Sequence, residues 1–399
     1  MQMSKDESNA EPYRWVILSL AWLGYFSAGM VGSSLPPLVT QIATDLGLTP
    51  IQMGVILGIG TLMVVPLAVP VGLLFDRINL KLATFTGFVF IALSAFLRTF
   101  AINFETMILF VSIFGIGNTL IIVGLAKTIA LWFFGNERAA ASGIYVAGFA
   151  IGSGIVLIIT NALVVPLLGT WRNAFLLYGL LGFLFAALWL IFSKELSQTQ
   201  IEEPLLSALK ESTSTLVKEK YIWLIGFVAF LFSIANFGFN GWLPTLLETK
   251  GMTPAAAGIM ASIPLWFGIF GSIIIPRIGK TGSRKILLFI LLLIQGLWVY
   301  FVIWAFGLPL IVVLILFGFS YAGVWPLLLV ILMDFPTIGA KYMGTATGLL
   351  TTFGASGGFI GPLMVGYLVE LTGALILGFI FLALILELTL IPIILLREK

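Results

Sequence analysis

Long apolar runs, each broken by a few charged, glycine or proline positions, recur twelve times along the chain, at about residues 15–39, 50–74, 79–101, 106–134, 138–164, 172–193, 221–247, 253–276, 284–306, 308–333, 341–369 and 372–396. A membrane-spanning helix needs roughly 20 apolar residues, so each run is long enough to cross with some tilt. None alternates at every second position, as a barrel strand would. The pattern predicts an all-α integral membrane protein of twelve transmembrane helices. The opening MQMSKDESNAEPY is polar, and the first run is too long for a signal-peptide core, which predicts a retained helix.

Composition removes the soluble alternatives. The chain is 60% hydrophobic and 9% charged, where an average soluble protein has about 25% charged residues, and its mean hydropathy is +1.15. It has no cysteine and no histidine, which excludes disulfides, thiolate metal sites and imidazole chemistry. No cofactor or metal is expected. The pI near 9.0 does not indicate nucleic acid, because the basic residues are scattered through short loops. With the N-terminus placed inside, 16 of the 20 lysines and arginines fall on the inner side. The positive-inside rule therefore predicts both termini in the cytoplasm.

One polar stretch, 194–220, interrupts the series and predicts a cytoplasmic linker between two six-helix units, 1–193 and 221–399. The units are related. Leu48-Thr49-Pro50 with Gly54 recurs as Met252-Thr253-Pro254 with Gly258. Phe114-Gly115 recurs as Phe317-Gly318, and Ser142-Gly143 with Gly152 recurs as Thr347-Gly348 with Gly357. Three matches at offsets of 203 to 205, in corresponding spans, indicate duplication. Parallel six-span repeats suit a carrier that alternates access around a midplane site.

The loop Gly72-Leu73-Leu74-Phe75-Asp76-Arg77-Ile78-Asn79-Leu80-Lys81 resembles the signature loop of the major facilitator superfamily, with Asn79 and Leu80 where its later glycine usually stands. Trp171-Arg172-Asn173 and Gly357-Gly358-Phe359-Ile360-Gly361-Pro362 are also similar to familial segments. The resemblance spans the chain. It implies two pseudo-symmetric six-helix bundles and a gating role for Asp76, Arg77, Lys81 and Arg138. Drug antiporters of the superfamily carry an arginine where Val111 stands, and nitrate carriers use arginines inside spans two and eight, neither of which has one here before its cytoplasmic end. The end of span four, Lys127 to Phe133 with Glu137-Arg138, is similar to that of organic-anion and organophosphate carriers, which place a basic residue five before an aromatic pair.

Ionisable groups within a span are costly, so each is a functional candidate. Lys127 reads as the counter-charge of an anionic substrate, or as a snorkelling or gating residue. Nine residues from Asn118, it lies about 900° around the helix and hence on the opposite face. Asn118, and Tyr321 by the repeat, are expected to meet the cavity. Asn236 and Asn240 share a face of span seven with Ser233, Trp325 lies one turn beyond Tyr321, and Tyr25 precedes Gly29 and Gly32 in span one. Such amides, phenols and rings can orient a small ligand, or merely bond helix to helix. Glu387 and Asp334 are the proton-coupling candidates.

Gly354-Ala355-Ser356-Gly357-Gly358 matches a hydrolase elbow, but a chain without histidine cannot complete that triad. Nothing in the sequence suggests an enzyme. The reading is a secondary active transporter of a small organic anion, acting as a monomer in the plasma membrane. Its expected partners are a small-molecule substrate, the lipid bilayer and a coupling proton. A carrier of a neutral or amphipathic solute is the alternative, and a non-transporting receptor or scaffold of the same fold is the alternative of another class.

Overall fold

The computed structural model describes residues 5–75, 78–195, 213–279, 283–335 and 339–396. Twelve helical spans follow one another: Pro12–Leu46, Pro50–Ala68, Leu80–Arg98, Phe104–Trp132, Glu137–Leu168, Trp171–Phe192, Lys220–Thr249, Pro254–Ile278, Arg284–Trp304, Gly307–Met333, Tyr342–Thr372 and Leu375–Leu395. They are numbered one to twelve below. The end that holds Pro12 and Leu395 is called the inner end. Among the described residues there is no strand, and most boundaries fall within a few residues of the hydropathy pattern.

Span one departs most from that pattern. Its first helix stops at Gly32, Pro36–Leu38 forms a single 3-10 turn, and Val39–Leu46 starts a new helix. Pro36 and Pro37 lack the N–H groups that a continuous helix requires, so the break belongs to the sequence. Arg98 also departs. Its charge, near the outer end of the run at 79–101, is expected to leave the membrane on the outer side, yet Arg98 ends span three fully buried. Hydropathy alone cannot separate a charge that leaves the membrane from one that turns inward at a helix end.

The duplication appears as repeated packing. Thr49 caps span two by accepting from the Gln52 amide, and Thr253 caps span eight by accepting from the Ala256 amide. Gly115 of span four meets the Gly60 carbonyl of span two, as Gly318 of span ten meets the Pro264 carbonyl of span eight. Gly152 of span five lies on the Phe26 carbonyl of span one, as Gly357 of span eleven lies on the Phe230 carbonyl of span seven. Each partner is displaced by 203 to 205 residues. A Cβ at any of these glycines would overlap backbone, which explains why small residues stand there. Thr49→Ala and Thr253→Ala are each expected to cost about 1 kcal/mol of stability. The losses should add in the double variant, because the caps lie in different halves. Thermal unfolding in detergent measures both.

Candidate functional site

Where the halves meet, the repeat produces two seals. A Cβ on Gly54 of span two would lie 2.5 Å from the Pro362 carbonyl oxygen of span eleven. Gly258 of span eight lies in the same way on the Leu157 carbonyl of span five. These pairs are offset by 204 and 205 residues, so each seal is the pseudo-symmetry mate of the other. Further in, Gly58 packs on Phe359 and Gly154 packs on the Trp266 indole. Two carboxylates bridge the halves at the outer rim. Thr40 donates its hydroxyl to Glu248 at 2.7 Å, and the Ile51 amide, in the first turn of span two, donates to Glu370 at 3.1 Å.

The inner end is different. Gly72, Gly143, Gly344 and Gly348 have nothing within 4 Å of a Cβ among the described residues. Gly143 and Gly348 are again mates, at an offset of 205. Ile144 of span five and Ile122 of span four are exposed here. Among the described residues, the mated glycines between the halves are thus in contact at the outer end and not at the inner one.

Along span four, Phe114, Asn118, Ile122 and Ala126 recur every fourth residue and form one face. Ile122 and Ala126 are exposed on it, and Asn118 is half-buried with no hydrogen-bond partner for its Oδ1 among the described residues. Tyr25 of span one packs against Tyr145 and Phe149 of span five, with ring centroids 5.6 and 5.2 Å apart. In the second half Tyr321 stacks on Phe317 at 5.4 Å, and Trp325 lies on Gly354 beside Ser233. The stripe on span seven divides. Ser233 is buried against span eleven, whereas Asn240 donates to the Asn236 side chain at 2.6 Å and to its carbonyl at 2.9 Å. Tyr145 and Trp266 join this aromatic and amide lining without any signal in the motifs.

The charged candidates lie elsewhere. Lys127 donates to the Gly72 carbonyl at 3.4 Å, near the inner end of span two and away from the Asn118 face. Arg138 donates to the carbonyls of Ala130 at 2.6 Å and Phe133 at 3.1 Å, closing the end of span four within its own half. Lys81 sits half-buried beside Trp132, Trp189 and Lys194. Asp334 pairs with Arg284 at 2.5 Å on the exposed inner surface. The Glu387 carboxylate lies against Gly296 of span nine, where the absence of a Cβ gives it room. Asp76, Arg77 and most of the 194–220 linker lie outside the described residues.

A family model described as Major Facilitator Superfamily matches residues 21–362. The chain is 25% identical over 377 residues to the hexuronate transporter of Bacillus subtilis, covering 87% of each protein. It is 27% identical over 395 residues to the probable nitrate transporter NarT of Staphylococcus epidermidis, covering 96% of each. A bacterial homolog of the human lysosomal transporter Spinster has the same fold, with a TM-score of 0.71, 16% identity, and coverage of 96% of this chain and 95% of that one.

Proposed function

The chain belongs to the Major Facilitator Superfamily of membrane transporters, and from that premise we propose that it carries a small organic anion by alternating access between its two halves. The observation that carries the mechanism is the asymmetry of the mated glycines. Gly54 and Gly258 are in backbone contact, while Gly143 and Gly348 have open space around them. Rocking one bundle against the other exchanges these conditions, closing the inner glycines as the outer seals part. The anion reading is supported by the names of two relatives, one a hexuronate transporter and one a probable nitrate transporter. Spans two and eight have no arginine before their inner ends, Arg277 standing in the last turn of span eight, whereas the superfamily's nitrate carriers place one inside each, which favours an organic anion over nitrate. Asn118, Asn236, Asn240, Tyr25, Tyr321 and Trp325 supply hydrogen bonds and ring faces for its uncharged part. A neutral solute remains the second reading, because no charged side chain accompanies these groups on the Asn118 face.

In this reading Lys127, held at the Gly72 carbonyl, works in the inner gate with the signature loop that holds Asp76, Arg77 and Lys81. Both termini face the cytoplasm, by the distribution of lysine and arginine. Lys127→Ala is therefore expected to reduce flux while leaving ligand affinity within about twofold. Stabilisation of detergent-purified protein by a carboxylate panel, run beside uptake into liposomes, tests this. A binder at 100 times its dissociation constant adds about 2.7 kcal/mol. Carboxylate binding that disappears in Lys127→Ala would return the lysine to the substrate.

Glu370 gives a separate prediction. Its carboxylate accepts from an amide at the positive end of a helix in the other half. Glu370→Gln should weaken the outer seal by about 1 kcal/mol, raising labelling from outside at a cysteine placed beneath it. Unchanged labelling would show that the glycine contacts alone hold the seal.

A further inference from the structure

Arg98 is a buried cation with no structural necessity to explain it. Its side chain is fully buried at the outer end of span three. It donates to Ser94 at 3.0 Å and to the Val31 carbonyl at 3.3 Å, while its Nε has no partner. No carboxylate pairs with it among the described residues. Val31 is where span one breaks, so capping that helix end is the obvious role. That cap does not depend on Arg98 alone, however, because Ser34 also donates its hydroxyl to the same carbonyl at 2.7 Å. Burying a charge without a carboxylate is expensive, and two hydrogen bonds to neutral acceptors leave part of that cost uncompensated.

The surroundings of the guanidinium suggest what compensates the rest. It lies between two rings, 5.5 Å from the centroid of Phe175 and 5.8 Å from that of Phe114. Phe114 is partly exposed and also contacts Gly32 of span one and Gly60 of span two. One turn along the same face is Asn118, whose buried Oδ1 has no partner among the described residues; that oxygen can accept from a substrate hydroxyl, which leaves the Nδ2 group to donate to a carboxylate. Phe114 thus lies beside the buried positive charge and one turn from Asn118 on the face of span four that holds exposed Ile122 and Ala126.

We propose that Arg98 supplies the positive potential that selects a carboxylate at Asn118, acting across the Phe114 ring as a positioning residue of the substrate site. This rests on the anion reading above and names the charge that reading lacks. At an effective dielectric of about 20, opposite charges separated by one ring attract strongly enough to change affinity roughly tenfold. Low exposure keeps salt from screening the effect.

The test compares glucuronate, lactate and succinate, each beside its neutral amide, by thermal stabilisation of wild type, Arg98→Gln and Ser94→Ala. Wild type is expected to prefer carboxylate to amide by about tenfold or more. Arg98→Gln should lose that preference while its amide affinity stays within twofold, and Ser94→Ala should keep it. A folded Arg98→Gln that retains the preference overturns the proposal, as does equal loss of carboxylate and amide binding, which marks a purely structural arginine. If Arg98→Gln does not fold, Phe114→Leu decides. Thinning the ring should raise the preference, and an unchanged preference overturns the proposal. A wild type that prefers no carboxylate defeats the anion reading itself, and the role of Arg98 falls with it.

Discussion

Gly54→Leu should abolish transport and trap the protein in the state opposite to the one described here. The three atoms nearest the added Cβ all belong to span eleven of the other half, the Pro362 carbonyl group and the Leu363 Cα. The substitution therefore leaves the first bundle's own packing alone and acts on closure of the outer seal. Overpacking costs typically 1–3 kcal/mol, which shifts the balance between the two states by about 5- to 150-fold. Gly258→Leu should behave alike, since its clash is with Leu157 of span five. Gly348→Leu is the converse. Among the described residues nothing lies within 4 Å of a Cβ there, so the inner-open state should survive and only the exchange be lost. Single-cysteine labelling separates the cases, because the chain has no native cysteine. Thr61→Cys, beneath the outer seal, should react from outside in the Gly54→Leu background and stay protected in the Gly348→Leu background. Equal protection in both would mean that the glycine contacts do not govern closure.

The second large effect falls on folding. Gly152→Leu and Gly357→Leu place a side chain on the carbonyl of Phe26 or Phe230, inside a single bundle in each case. No rocking motion relieves these clashes. Each should cost about 3 kcal/mol or more, seen as a loss of folded protein on detergent extraction and a lowered unfolding temperature. Gly54→Leu, by contrast, should extract normally. The comparison separates glycines that hold a bundle together from glycines on which the bundles move. If both groups lost stability equally, the two halves would be a single packed unit.

What the sequence revealed and what it hid follow from how each signal is generated. The twelve spans were legible because a helix in lipid must satisfy its own backbone and present apolar side chains. The duplication was legible in Thr49-Pro50 and Thr253-Pro254, because a cap followed by proline at the first helical position leaves a local signature. The 900° between Asn118 and Lys127 follows from helix geometry alone, and it agrees with the lysine's contact at Gly72. Arg98 was hidden, since its significance lies in Phe114 and Phe175, from other spans. Glu370 and Glu248 read as ordinary charges at span ends, and their bonds across the halves exist only once spans two and eleven, and spans one and seven, have met. The Ser233, Asn236 and Asn240 stripe was legible as a face, but not its division between span-eleven packing and an asparagine pair.

Alternating access through the mated seals is the central claim, and spin-label distances across both ends test it most directly. One doubly labelled protein carries Ile144→Cys and Ile278→Cys at the inner ends of spans five and eight, both exposed positions. The other carries Leu167→Cys and Thr249→Cys at the outer end, one in each half. Wild type should give a long inner and a short outer separation. Introducing Gly54→Leu should shorten the first and lengthen the second, while Gly348→Leu should leave both as they are in wild type. Separations that lengthen together in Gly54→Leu, or that do not change, would contradict a reciprocal motion of the two halves about the glycine seals.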